Sequence, residues 1–451
     1  MTEVLNEVSG PDELRQLNQA FPARYPFLLQ STTRGGNIGR FDILFACPGD
    51  SLVLQQAGSL SGNVQTCETQ FLPALDRWWS EERLDTTDSL LPFHGGWFLY
   101  LGYELAQEIE PGLNLYVDTL LPTAFAVRCP AALIFDHEEN LCSLVREEND
   151  PVAYEQLLAD IADIAGPATN ANESSDAALT VVEEPAQHFT SAVDRAKEHI
   201  AAGDIYQANL SRQWSATLAA DLSSENIYAA LCKANPGPFA GIAHWQDVSI
   251  ISSSPERLLQ VRDGTISTRP IAGTRPRDDD SDADSDLSTE LFAHPKERAE
   301  HVMLIDLERN DIGRVCEAGT VEVDEMMILE SYAHVHHIVS NIRGQLRADV
   351  TPGAAIAAVF PGGTITGCPK VRCMEIINEL EEGPRGAYTG SFGYLNRDGS
   401  MDLNILIRTI VTQGNSVSFR AGAGIVADSE PAAELEETRA KAKGMLRALS
   451  Q

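Results

Sequence analysis

Positive charge is scarce in this sequence. Against 66 aspartates and glutamates stand 33 lysines and arginines, which leaves a net charge of −33 over 451 residues. Nucleic acid is therefore not an expected partner, because a phosphate backbone is gripped by stripes of lysine and arginine. A small anionic substrate is also repelled by the overall field, so local positive charge or a metal ion must compensate at any site that takes one. Long apolar runs are missing too: none reaches the ~18 residues of a membrane span, and no membrane association is expected. The opening MTEVLNEVSGPDEL has neither a basic start nor an apolar centre, so it does not read as a signal peptide. The eight cysteines show no CxxC spacing and no clustering with histidine, which excludes a disulfide framework and a zinc site. Reduced thiols in a cytoplasmic protein are the expectation.

What is present is ordinary globular composition, 43% apolar and 22% charged, in a chain long enough for two or three domains or one large intertwined unit. The clearest seam lies within 150–187, where a short helical pattern from Tyr154 to Ile164 runs into an Ala/Asn/Ser/Asp stretch. Three segments follow: an N-terminal region 1–165, a polar linker 166–186 and a C-terminal region 187–451, the two regions packing as one intertwined unit. Strand-like runs such as FDILFACPG, HGGWFLYLGYEL and AALIFDHEENLCSLV precede the seam. Helical and strand patterns alternate after it. Hairpin-like runs mixed with helices indicate α+β rather than a doubly wound parallel fold.

Two glycine-rich stretches lack the residues that would make them nucleotide sites. FPGGTITGCPKVRCMEIINEL (360–380) turns into a helix that should begin at Pro369, but Cys368-Pro369 stands where a phosphate loop needs lysine. It is either a tight structural turn or a loop that offers Thr364 and backbone N–H groups to an anion. SFRAGAGIVADSE (418–430) has Gly422 and Gly424 after a strand but no third glycine at dinucleotide spacing. Close approach of backbone N–H groups to a carboxylate is the use left for these glycines.

Carboxylates sit where apolar stripes are expected. HPKERAEHVMLIDLERNDIGRV opens a helix at Pro295, and Glu297, Glu300, Leu304 and Leu307 share one face. DSEPAAELEETRAKAKGMLRAL opens another at Pro431, with Glu434, Glu437 and Lys441 along one side, next to Leu435, Ala442, Leu446 and Leu449. First-turn glutamates that complement the helix dipole explain either pair alone. Two such pairs of hard oxygen ligands also suit Mg²⁺. Arg408 lies inside the otherwise apolar strand expected at MDLNILIRTIV, as either half of a structural ion pair or a grip on a substrate carboxylate. SYAHVHHIVS places His334 and His336 on one strand face and His337 on the other. Glu256, in SSSPERLL, is either an arginine partner or, if burial raises its pKa, a general acid.

Taken in order, DIYQANLSRQ, SSSPERLL, RPIAGTRPR, KERAEHVMLIDLERNDIGRV, HHIVS, PGGTITGCPKVRCMEII, GSFGYL, LNILIRT and AGAGIVADS resemble the chorismate-utilising enzymes over roughly 187–447. PFLLQS, GRFDILFA and PFHGGWFLYLGYE extend the resemblance more loosely toward the N-terminus. It implies two mixed β-sheets packed as a sandwich with flanking helices. It also implies a Mg²⁺ site on Glu300 and Glu437, supported through water by Glu297 and Glu434. Glu256 falls on the general acid for the C4 hydroxyl. Thr274, Thr364, Tyr388, Arg408, Gly422, Gly424 and Lys441 fall on the substrate-binding groups, and His337 on the histidine facing the ring.

Within that family, water-adding members resemble one another in a lysine base where this chain has Gln207, which cannot deprotonate water. The resemblance therefore points to the amine-forming branches, with ammonia as nucleophile. Most aminodeoxychorismate synthases carry a nucleophilic lysine where this chain has Ala272, as anthranilate synthases do. YQANLS, FPGGTITG, LNILIRT and NPGPFAG (235–241) instead resemble aminodeoxychorismate synthase component I, and these marks together set the expectation. Ser31, in LLQS, and Pro236 fall on the family's tryptophan pocket. A GxCxG-type nucleophile elbow is missing, so a separate glutamine amidotransferase subunit is expected to supply ammonia. A pyruvate-releasing lyase domain is missing as well. Anthranilate synthase component I is the alternative enzyme, and a catalytically silent scaffold or tryptophan-binding subunit the alternative of another class. RPIAGTRPR (269–277) reads as part of the substrate pocket, and the acidic DDDSDADSD (278–286) as a solvated connector.

Overall fold

Ala131–Asp136 and Leu141–Arg146 form a hairpin because four polar residues separate two apolar runs, and Asn140 takes the left-handed φ of 51° that closes the turn. Such hairpins and longer pairings assemble two large sheets in the computed structural model. It describes residues 2–5, 8, 10–33, 39–56, 58–85, 89–147, 151–164, 180–218, 222–276, 295–331 and 335–450. The acidic stretch 278–286, His334, residue 165 and residues 166–179 of the expected linker lie outside these.

Among the described residues one sheet has twelve strands and the other eleven, and every ladder is antiparallel. The α+β class and two-sheet sandwich expected from sequence are present; the antiparallel ladders narrow the expectation of mixed sheets. Both sheets draw strands from either side of the linker. In the larger, Phe27–Gln30 pairs with Phe239–Trp245; in the smaller, Gly96–Leu101 pairs with Ser391–Asn396. The far end of the expected linker is itself structured: Val181–Glu183 pairs with Trp214–Ala216 at a sheet edge.

The sheets meet through aromatic side chains. Phe27 of the larger sheet stacks on Phe98 of the smaller at 4.0 Å between ring centroids, with Phe45, Phe125, Phe392 and Tyr394 around them. Each fully buried ring contributes roughly 1.5–3 kcal/mol. Helices Pro11–Ala20, Ser224–Ala234 and Pro431–Leu449 cover the outer face of the larger sheet. Phe71–Glu82, Pro295–Gly313 and Pro352–Val359 cover that of the smaller. Prolines open four of these six helices at the first position, where the missing N–H costs nothing. The helix Lys370–Glu381 differs from expectation by one residue, since Pro369 is its cap rather than its first member. No helix among the described residues is long and apolar enough to cross a membrane.

Candidate active site

Two chain segments cross from one sheet to the other side by side, and the candidate residues gather at this corner. Val248–Ser254 belongs to the larger sheet and Arg257–Arg262 to the smaller, so Pro255 and Glu256 form the first crossover. Met401–Asn404 belongs to the smaller and Thr409–Gln413 to the larger, so 405–408 form the second. Backbone bonds lace the crossovers together: Ile405 N–H donates to Glu256 O at 3.0 Å and Ser253 N–H to Arg408 O at 3.2 Å. The Ser254 hydroxyl donates to Ile405 O at 2.5 Å. Arg408, expected inside a strand, is instead the last residue of a crossover, with φ of 54°. A non-glycine residue held there stores of order 1–3 kcal/mol of strain, which the surrounding bonds must enforce.

Glycines allow the opposite wall to close in. Strand Ser416–Ile425 pairs with Gln207–Thr217, Gly422 opposite Ser211 and Gly424 opposite Asn209. A Cβ on Gly422 would lie 2.6 Å from both the Leu210 carbonyl oxygen and the Tyr388 hydroxyl, and one on Gly424 would lie 2.5 Å from Gln207 Nε2. The backbone contact makes glycine a requirement at 422, whereas at 424 a side chain would only displace the Gln207 amide; through the two glycines Tyr388 and Gln207 reach the same strand. Lys441, on the helix Pro431–Leu449, donates to Gly422 O at 3.0 Å. His337 comes from the smaller sheet, where strand Val335–Gln345 pairs with Ile271–Pro276. Its register partner is Thr274, and Ala272 faces Ile338 across a bulge at Gly273, whose φ is 69°.

The electrostatics separate one neutral acid from several cations. Glu256 is 5% exposed, and burial pushes its carboxyl up to about 8. The Glu308 carboxylate adds to the rise; the nearby Thr364 hydroxyl, the Ile271 N–H and the Lys441 ammonium oppose it. At neutral pH Glu256 therefore carries a proton it can donate. Burial and the Arg408 charge hold His337 down to about 4, so its imidazole is neutral. Arg408 is half-buried, walled by protein yet reached by solvent, as a cleft residue is, and burial lowers its pKa. Its Nη1 donates to Asn235 Oδ1 at 2.5 Å, and no carboxylate among the described residues pairs with it. Glu256 Oε1, Thr364 Oγ1, Gln207 Oε1 and Asn209 Oδ1 are buried and in hydrogen-bond geometry with no protein group. Buried polar atoms are normally satisfied, so these four are free to bond a polar ligand or water.

A family described as chorismate binding enzyme matches residues 25–447. The chain belongs to the chorismate-binding enzyme family. The match takes in most of the N-terminal region, where the sequence motifs are loosest. The chain is 46% identical over 364 residues to an anthranilate synthase component I-like protein of Synechocystis sp., covering 80% of this chain and 73% of that one. It is 37% identical over 447 residues to aminodeoxychorismate synthase component 1 of Bacillus subtilis, covering 97% and 94%. The crystal structure of anthranilate synthase component I from Streptococcus pneumoniae matches with a TM-score of 0.81 at 32% identity, covering 91% of this chain and 93% of that one. This is a chorismate-utilising enzyme of the anthranilate and aminodeoxychorismate synthase component I class.

Not every residue expected at a chorismate-binding site joins the corner. Of the expected metal ligands, the Glu297 side chain lies outside the described part of its helix. Glu300 is half-buried, Glu434 is 9% exposed, and Glu437 is exposed and paired with Lys441 at 2.8 Å. Among the described residues no three carboxylate, imidazole or thiol groups converge to hold a metal ion. The donor chemistry, carboxylate oxygen alone, nonetheless suits Mg²⁺. Helix Pro431–Leu449 buries Glu434, Thr438, Ala442, Met445 and Leu449, while Leu435 and Leu446 are only half-buried. Glu434 thus belongs to the inward stripe rather than beside it.

Ser31 and Pro236 border the corner: Pro236 follows Asn235, which holds Arg408, and a Cβ on Gly237 would lie 2.7 Å from the Ser254 carbonyl oxygen. They flank an exchange in which Gly237 N–H donates to Thr32 Oγ1 at 2.8 Å and Thr32 N–H to Gly237 O at 3.1 Å. A cavity of about 800 Å³ opens beside them, lined by Leu29, Gln30, Pro238, Phe239, Arg257 and Asn404 among others, and by none of the candidate catalytic residues.

Sequence reasoning missed three supporting groups. Glu308 continues the stripe of Glu300 and Leu304 at i+4, a signal that was available. Asn235, which holds Arg408, and the buried set of Glu381, Arg385 and Arg420 behind Tyr388 join distant segments and leave no local pattern.

Proposed function

We propose that this protein is an aminodeoxychorismate synthase component I. It replaces the C4 hydroxyl of chorismate with an amino group, using ammonia from a separate glutamine amidotransferase subunit. The reading is carried by Glu256, a buried acid that keeps its proton at neutral pH, near Lys441 and on the crossover bonded to that of Arg408, while Gln207 offers no base for water. Arg408 and Lys441, with the N–H groups near Gly422 and Gly424, grip the two carboxylates of the substrate. Glu256 gives its proton to the departing C4 oxygen, the C–O bond breaks and water leaves. Ammonia forms the C–N bond and then loses a proton. Neutral His337 faces the ring, and Thr364 and Tyr388 orient it; the Thr274 side chain lies outside the described residues.

Glu300 and Glu437, supported by Glu297 and Glu434, would hold Mg²⁺, whose charge offsets the repulsion between a dianionic substrate and a protein of net charge −33. Glu437, paired with Lys441 at 2.8 Å, would have to give up that bond to serve as a ligand. A place on the route to 4-aminobenzoate and folate, and a cytoplasmic location, belong to the same proposal.

One observation favours a second reading. Ala272 cannot serve as a covalent nucleophile, and anthranilate synthase component I needs none; tryptophan binding near Ser31 and Pro236 goes with that alternative. The test is to incubate the purified protein with chorismate, Mg²⁺ and an ammonium salt. A product that added aminodeoxychorismate lyase converts to 4-aminobenzoate supports the proposal. Fluorescent anthranilate supports the second reading. No loss of chorismate under any condition sinks both and leaves a silent scaffold.

A further inference from the structure

A second buried carboxylate stands behind Glu256. Glu308, on the helix Pro295–Gly313, is 5% exposed and accepts the Gly363 N–H at 3.3 Å. The turn Gly363–Ile365 packs directly on this helix: a Cβ on Gly363 would lie 2.6 Å from Leu307 Cδ2 and 3.1 Å from Glu308 Oε1. That turn carries Thr364, whose hydroxyl lies beside Glu256. The Thr268 hydroxyl, at the end of strand Thr265–Thr268, lies beside Glu308 on its other side.

We propose that Glu308 is a positioning residue for Glu256, acting through the Gly363–Ile365 turn and through its own charge. Two carboxyl groups in one dry pocket cannot both ionise cheaply, so each favours the proton on the other. The charged neighbours do not cancel this. Glu308 faces Asp311 from its own helix and Lys370 from helix Lys370–Glu381. Lys370 is bound to Asp311 and to the Val359 carbonyl at 2.9 Å, so its charge is shared between two carboxylates. On the Glu256 side the facing cation is Lys441, the weakest of the influences on that carboxyl. Burial and Asp311 raise Glu308 itself to about 7, so it is charged for part of the time at neutral pH.

The inference rests on the proton-donor reading of Glu256, and the test separates the two. Glu308→Gln keeps the size and an oxygen for the Gly363 N–H but removes the charge. Infrared difference spectra against matched Glu256→Gln proteins isolate the protonated-carboxyl band of Glu256 without any turnover. In Glu308→Gln the titration midpoint of that band is expected to fall by about one pH unit, and the alkaline limb of kcat/KM to move down with it. An unmoved midpoint overturns the proposal, even if activity drops, because a purely structural tether would lower kcat alone. A lowered midpoint with an unmoved alkaline limb upholds the role of Glu308 and removes Glu256 as the donor. Glu308→Met, of similar length, takes the place of the glutamine variant if that variant does not fold, with the same two outcomes.

Discussion

The protonated state of Glu256 makes a demand on stability as well as on chemistry. Its carboxyl rises from the ordinary glutamate value of 4.5 to about 8, chiefly through burial. A group whose folded pKa is raised contributes stability that is fully present below the unfolded value and is lost as pH rises through the folded one. The window therefore runs from about pH 4.5 to about pH 8. At roughly 1.4 kcal/mol per pH unit, the loss reaches on the order of 3–5 kcal/mol. Glu256→Gln is neutral throughout and escapes it. Urea unfolding of both proteins between pH 5 and 9 is the assay, monitored by tryptophan fluorescence. The stability difference is expected to move steadily in favour of the variant as pH rises and to level off above about pH 8. Glu104, also raised to about 7, gives wild type and variant the same background and cancels in the comparison, whereas the Glu308 carboxyl responds to the loss of the Glu256 charge and its change is part of the measured difference. Two parallel curves would refute the reasoning, because Glu256 would then titrate like an exposed glutamate and have no proton to give at neutral pH.

Other substitutions test other parts of the corner. Arg408→Lys keeps the charge but not the two-pronged fork, and is expected to raise the KM for chorismate at least about tenfold with little change in kcat. Arg408→Gly relieves the positive-φ strain and is expected to gain about 1 kcal/mol in unfolding experiments while chorismate binding disappears in calorimetry. Gly422→Ala places a methyl group against the Leu210 carbonyl and the Tyr388 hydroxyl. A loss of about 1–3 kcal/mol and a drop of more than about tenfold in chorismate affinity should follow. Glu300→Gln and Glu437→Gln are each expected to weaken Mg²⁺ binding in calorimetry and abolish Mg²⁺-dependent turnover without lowering Tm; unchanged metal affinity would remove them from the site.

How far the sequence carried depended on whether a feature is local. Pro295 and Pro431 mark helix starts because a proline at the first position acts within one turn. The Glu437–Lys441 pair follows from i, i+4 spacing. Arg408 was misplaced because MDLNILIRTIV is apolar in both of the sheets it visits, so the change of sheet at 405–408 leaves no break in the pattern. The stripe through Glu300 and Leu304 was read only as far as Leu307, one residue short of Glu308. The sheet order was out of reach for a different reason. It pairs Phe27–Gln30 with Phe239–Trp245 across some two hundred residues, and both strands are equally apolar whichever neighbour they take. Gln207, Glu256, Tyr388, Arg408 and Lys441 come from five separate stretches of chain, so their placement follows from the sheet pairing rather than from any local pattern.

The central claim is that nitrogen enters at C4 although Ala272 leaves no covalent lysine. Incubating the protein with chorismate, Mg²⁺ and ¹⁵N-ammonium and reading the product by NMR tests it most directly. A ¹⁵N coupling to the C4 carbon, with the enolpyruvyl group retained, is the expected result. Nitrogen bonded to C2 of an aromatic ring, with pyruvate released, would contradict the account.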